Sequence, residues 1–248
     1  MVSVNAQAQL STSESAALAE SCTRLQEISP DYPRVYAVAA MARQGKRRWW
    51  PIAACARTEG SPADLPKDRV GQMYAHLLAE LSSPRAAAVQ VAAALVHAVV
   101  GRVAALVVLD GRAWDPGVDN LWVHMDSDCG IDWAGVVDDT LRVLPDDPLA
   151  GSRGVVTLPC ERALLVWTVH RCLTSLAAIR HALESTAPVD TPRFAALVAD
   201  AVLGAATHVP IRAGSSRVVA SRRGQGLLDA FEAAGVPVRA RALLATAC

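Results

Sequence analysis

Residues 86 to 109, AAAVQVAAALVHAVVGRVAALVVL, form the longest apolar run in the chain and constrain its fold more than any other segment. A run of this length must be hidden from water, either in a bilayer or in a protein core. Gln90, His97 and Arg102 argue against the bilayer, since a charged group at membrane depth costs roughly 2.5 to 3.5 kcal/mol even on lenient insertion scales. The expectation is therefore a buried helix with no integral membrane span. Gly101 is read as its break, with VAALVVL (103 to 109) following as a β-rich strand.

A core of this kind suits the rest of the composition. The chain has 248 residues, 52% of them hydrophobic, enough for one large domain or two interlocked subdomains. Basic and acidic residues balance at 24 each, so no global field attracts nucleic acid. The first twenty residues lack the basic and apolar regions of a secretory signal, and the six cysteines contain no Cys-x-x-Cys spacing. The reading is a cytoplasmic protein with reduced thiols.

The elements fall in a helix-rich order. Residues 11 to 28 read as an amphipathic helix with Thr12 or Ser13 as cap, and Leu18, Leu25 and Ile28 on its inner face. A helix is expected over about 69 to 81, and Pro84 suits the first turn of the next. DNLWVHM (119 to 125) alternates Leu121, Val123 and Met125 against Trp122 and His124, the period of a half-buried strand. PDDPLAGSRG (145 to 154) has the composition of a linker, giving an N-terminal subdomain over residues 1–150 and a mainly helical C-terminal subdomain over residues 151–248. Helices are expected at 161 to 184, at 191 to 206 with Thr191 as cap, and from 222 to Gly235, followed by a terminal strand or extended tail. The fold class is α+β, mostly helical, with a small antiparallel sheet in mid-chain.

Two segments carry candidate chemistry. In ERALLVWTVHRCLTSLAAIRHALE (161 to 184), Trp167, His170, Arg171, Arg180 and His181 interrupt an apolar helical pattern. Buried polar groups need partners, so this stripe is either an internally paired seam or the wall of a ligand pocket. Near the N-terminus, Arg43, Lys46, Arg47 and Arg48 adjoin Trp49 and Trp50. Either the tryptophans fold onto the core beside a solvated turn, or the patch is a rim for an anionic or aromatic ligand. HExxH, GxSxG, a Walker loop and the Rossmann glycine fingerprint are all absent. RRGQG (222 to 226) is similar to the phosphate-cradling loop of GNAT acetyltransferases, which implies acyl-CoA binding as an alternative.

Taken together, LSSPRAAAVQVAAALV, the hydrophobic segment after it, DNLWVHMDS, RALLVWTVHRCLTSLAAIRHAL and VADAVLGAATHVPI resemble the FhuF-type ferric-siderophore reductases and the related C-terminal domain of IucA/IucC siderophore synthetases. The resemblance covers roughly residues 70 to 235. It implies a cleft for a ferric siderophore, a bulky and often anionic chelate, with Trp167, His170, Arg171, Arg180, Arg212 and Arg222 as candidate ligand-binding residues. It also implies a [2Fe–2S] cluster held by a Cys-Cys pair and a later Cys-x-x-Cys. Here Cys248 stands where that pair begins and the other ligands have no counterpart, so a chelate-binding protein served by an external electron donor, or a non-catalytic binding or assembly module, is expected.

Overall fold

The computed structural model describes residues 16–29, 34–41, 48–56 and 68–239. Helix α1 (Ala16–Glu27) precedes two short strands, β1 (Val38–Ala40) and β2 (Trp49–Pro51), and a 3-10 segment (Ile52–Ala56). Helices α2 (Arg69–Leu81), α3 (Pro84–Val96) and α4 (Arg102–Asp110) follow. Four strands come next, β3 (Leu121–Met125), β4 (Ile131–Val136), β5 (Leu141–Val143) and β6 (Val155–Thr157). Long helices α5 (Glu161–Thr186), α6 (Thr191–Ala213) and α7 (Arg217–Ala233) complete an α+β architecture that is mostly helical. The caps expected for α1 and the residues beyond 239 lie outside the described residues.

The apolar run is one continuous helical element, which corrects the expected strand at 103 to 109. Gly101 holds helical angles (φ −62, ψ −40) inside a π turn, His97–Gly101, that joins α3 to α4. A Cβ at Gly101 would lie 2.3 Å from His97 Nδ1, so the missing side chain seats the imidazole without breaking the helix. Extending a formed helix adds one hydrogen bond per residue, whereas a strand start would leave buried amides to be paired anew. Residues 102 to 109 are buried on every side, the mark of a core helix. Pro84–Asp110 and Thr191–Ala213 are both long and apolar enough to cross a membrane; within the first, 83% of the most apolar window is buried inside this fold.

Caps account for the other boundaries. Asp68 accepts from the Gly71 amide at 2.8 Å to start α2, and Ser83 caps α3 ahead of Pro84. Asp190, one residue earlier than expected, caps α6 through the Arg193 amide at 2.7 Å. That helix runs past Gly204 and Pro210 to a left-handed Gly214 instead of ending near 206, because its buried face continues through Val209 and Pro210. Helix α7 is capped by Ser216 and starts at Arg217, earlier than expected, which places Arg222 to Gly226 mid-helix. The segment from 236 to 239 forms turns.

The main sheet has the order β1-β4-β3-β2. Its β2–β3 and β3–β4 pairs have the antiparallel sense expected of the mid-chain sheet, although β2 and β4 are not among the expected strands, and β1 joins β4 in parallel, so the sheet is mixed. The parallel pair joins residues about a hundred positions apart, beyond the reach of local turn signals. Val38, Trp50, Leu121, Val123, Met125, Ala134 and Val136 belong to the core cluster that also contains residues of all seven helices. The segment 145 to 154 joins β5 to β6, which pair in parallel with each other, and the core cluster includes residues from both sides of it.

Candidate functional site

The polar stripe on α5 splits among different partners. Arg171 donates from Nε to Asp115 at 2.7 Å and from Nη2 to Asp119, and Thr174 accepts from the Val118 amide. Ser175 donates to the Pro116 carbonyl at 2.6 Å. Gly117 has no Cβ where the Arg171 guanidinium lies. These residues therefore bind the loop 115 to 120 to the helix, and the paired-seam reading holds for them. Trp167 lies under the Arg142 guanidinium, 4.5 Å from the ring centroid.

The remaining candidates sit elsewhere. His170 and His181 are exposed on the outer face of α5. Arg180 reaches Thr191 and Glu184 and lies over the Phe194 ring, tying α5 to α6. Arg212 is exposed on α6. Arg222 pairs with Glu161 at 2.9 Å beside a groove of about 570 Å³ between α5 and α7, lined also by Arg162, Leu165 and Gln225. The structure does not bring the six candidates into one pocket. RRGQG is helical too: Gly224 lets α7 approach Ala206 and Gly226 lets it approach Leu165, so no phosphate-cradling loop exists there.

A different constellation converges on the outer face of the sheet. Strand pairing sets Trp49 opposite His124, His124 opposite Trp133, and Trp122 opposite Gly135, so all these positions share one face. Trp122, His124 and Trp133 are half-buried, and neither Trp122 nor Trp133 packs on the core cluster. Trp49 is 9% exposed yet also lies outside that cluster, whereas its neighbour Trp50 is in it. Gly135 makes this possible: a Cβ there would lie 2.6 Å from Trp49 Cζ3 and 2.5 Å from Met41 Sδ. The Trp49 indole thus reaches across the sheet and packs against the His124 ring, with centroids 5.2 Å apart and a 57° tilt.

A β-bulge supplies the charge. His124 opposes Trp133 while Met125 opposes Ile131, leaving Asp132 as the extra residue. Its Oδ1 accepts from His124 Nδ1 at 2.7 Å and its Oδ2 from Arg34 Nη1 at 2.9 Å. Among the described residues His124 Nε2 has no hydrogen-bond partner. An imidazole oriented by a carboxylate through Nδ1 presents Nε2 in a fixed direction, as acceptor when neutral and donor when protonated. The Asp132 backbone is held from below by Arg102, which is 1% exposed and donates to the carbonyls of Ala37, Ile131 and Asp132. Burial lowers the Arg102 guanidinium to about 10, which leaves it charged at neutral pH.

The alternation of LWVHM points Trp122 and His124 outward, and the basic–aromatic reading of Arg48 and Trp49 falls beside them. Arg43, Lys46 and Arg47 lie outside the described residues. Trp50 belongs to the core cluster, and Trp49 is buried on the opposite face of the sheet against His124. Sequence reasoning missed Arg34, Asp132 and Trp133.

The five cysteines among the described residues lie on separate elements and are not gathered to hold a [2Fe–2S] cluster. Cys22 is on α1, Cys55 on the 3-10 segment, Cys129 in the β3–β4 turn, Cys160 at the start of α5 and Cys172 within it. Burial pushes the Cys22 and Cys55 thiols up to about 12 and raises Cys172 as well, so all three are protonated at neutral pH. Among the described residues no three His, Cys, Asp or Glu side chains are grouped to hold a metal ion. Cys248 lies outside the described residues. No protein-family profile, curated protein or solved structure matches this chain.

Proposed function

We propose that this chain binds a ferric siderophore or chemically similar chelate on the outer face of the β1-β4-β3-β2 sheet, with any reduction of the iron left to an external one-electron donor. One observation carries the reading: Asp132 holds Arg34 and His124 beside the half-buried Trp122 and Trp133, with the buried Trp49 packed against the His124 ring. Indole faces stabilise a flat, polarisable ligand by roughly 1 to 3 kcal/mol per stacked ring, and a guanidinium complements its negative charge. The resemblance to ferric-siderophore reductases supports iron chelates as the ligand class. The chain's role is then to capture and orient the chelate.

Coloured ferric chelates make the test direct. Purified protein is mixed with a ferric tris-catecholate or a ferric trihydroxamate and passed through a size-exclusion filter. Retention of chelate absorbance near one equivalent is expected, weakened about tenfold or more by Trp122→Ala with Trp133→Ala. Passage of both chelates through the filter would defeat the proposal. With chelate bound and a reduced ferredoxin-type donor added, formation of ferrous iron separates reductase from binding module.

A further inference from the structure

The sheet-face site constrains its ligand beyond being an iron chelate. Both oxygens of one carboxylate are engaged, Oδ1 by His124 Nδ1 and Oδ2 by Arg34 Nη1. The imidazole and guanidinium are therefore both anchored on Asp132, the extra residue of the bulge. Asp132 itself is 12% exposed in its side chain, His124 23% and Arg34 63%, so the pair's outer atoms face the accessible side. A guanidinium and an imidazole anchored on one carboxylate offer two contacts to a single ligand, an anionic oxygen at Arg34 and a second oxygen that meets Nε2 as donor or acceptor.

The surroundings decide what carries those oxygens. Trp49 supports the His124 ring from β2, and Trp122 and Trp133 flank it on β3 and β4. The half-buried rings of Trp122 and Trp133 offer aromatic surface beside the polar pair, while Trp49 and Met41 fill the space over Gly135.

We infer, resting on the chelate reading above, that the site recognises an arene bearing oxygens on adjacent carbons or an ortho carboxylate, the chemistry of catecholate and salicylate chelating groups. The arene lies against the indoles, its anionic oxygen pairs with Arg34 and the neighbouring oxygen meets His124 Nε2. An aliphatic hydroxamate also presents two adjacent oxygens, but it has no ring for the tryptophans and engages only the polar half of the site.

Iron-free probes isolate this recognition. The full chain is titrated with 2,3-dihydroxybenzoate, salicylate, benzoate and acetohydroxamic acid, following quenching of tryptophan fluorescence and, separately, heat by calorimetry. The two oxygen-bearing arenes are expected to saturate with dissociation constants at least tenfold below those of benzoate and acetohydroxamic acid. His124→Phe, which retains a ring against Trp49 but has no nitrogen, and Arg34→Gln should each weaken them about tenfold, with circular dichroism confirming the fold. Equal binding of benzoate, tighter binding of acetohydroxamic acid, or no arene binding would overturn the inference. If a ferric trihydroxamate is nonetheless retained by the filter, chelate binding stands and only the arene assignment falls. If no ferric chelate is retained, the proposed function itself falls.

Discussion

Arg171 and Asp115 form an ion pair, Nε to Oδ1 2.7 Å, between the middle of α5 and the loop entering β3. The Asp115 partner is 11% exposed and also accepts from the Gly117 amide, and hydrogen bonding to the two carboxylates raises the Arg171 titration above its ordinary value. Removing one member of a buried pair strands the other, which costs about 3 to 5 kcal/mol when both are fully enclosed. Arg171 keeps some solvent contact and Asp119 lies at the surface. Arg171→Ala should therefore destabilise by about 2 to 3 kcal/mol in urea unfolding and leave chelate affinity within twofold. A stable variant that loses ligand would return Arg171 to the binding site.

Gly135→Ala tests the seat of Trp49. The added methyl would meet Trp49 Cζ3 at 2.6 Å and Met41 Sδ at 2.5 Å, so the indole must lift. Overpacking of this kind costs about 1 to 3 kcal/mol. A red-shifted tryptophan emission and weaker arene binding are expected together, and unchanged emission would contradict the packing of Trp49 on the sheet.

His97 gives stability a definite pH dependence. Burial, and secondarily the Arg102 guanidinium, lowers its titration below the ordinary 6.5, against an opposing hydrogen bond to the Val35 carbonyl. Above 6.5 both folded and unfolded chains hold it neutral. As pH falls through 6.5 the unfolded chain takes the proton first, so stability declines by up to about 1.4 kcal/mol per pH unit from this group until the folded value is passed. His97→Gln should flatten that decline between pH 6.5 and 5, measured by denaturation at each pH; an equal slope in the variant would contradict it.

The cysteines should divide by location. Cys160 is exposed and reacts in the native protein with a thiol-specific reagent, whereas Cys22, Cys55 and Cys172 react only as the fold opens. Peptide mapping of labelled native protein gives the order, and rapid labelling of Cys172 would contradict its burial within α5.

Local signals made much of the fold legible. Asp68, Ser83 and Pro84 mark α2 and α3, and the alternation from Leu121 to Met125 marks β3 and its two faces. Gly101 and the glycines at 224 and 226 misled, because a glycine that breaks an exposed helix equally well permits close packing inside a buried one. The site was only partly readable. Trp122 and His124 follow from strand period, but Arg34 meets Asp132 through a parallel pairing across 98 residues and a one-residue bulge, neither of which has a local signature.

The six tryptophans allow the central claim to be read in one spectrum. Titrating isotope-labelled protein with a gallium-loaded catecholate chelate, diamagnetic in place of iron, should shift the indole N–H resonances of Trp122 and Trp133, with a smaller change at Trp49, while Trp50, Trp114 and Trp167 stay in place. A shift confined to Trp167, or no shift at saturating chelate, would contradict a binding site on the sheet.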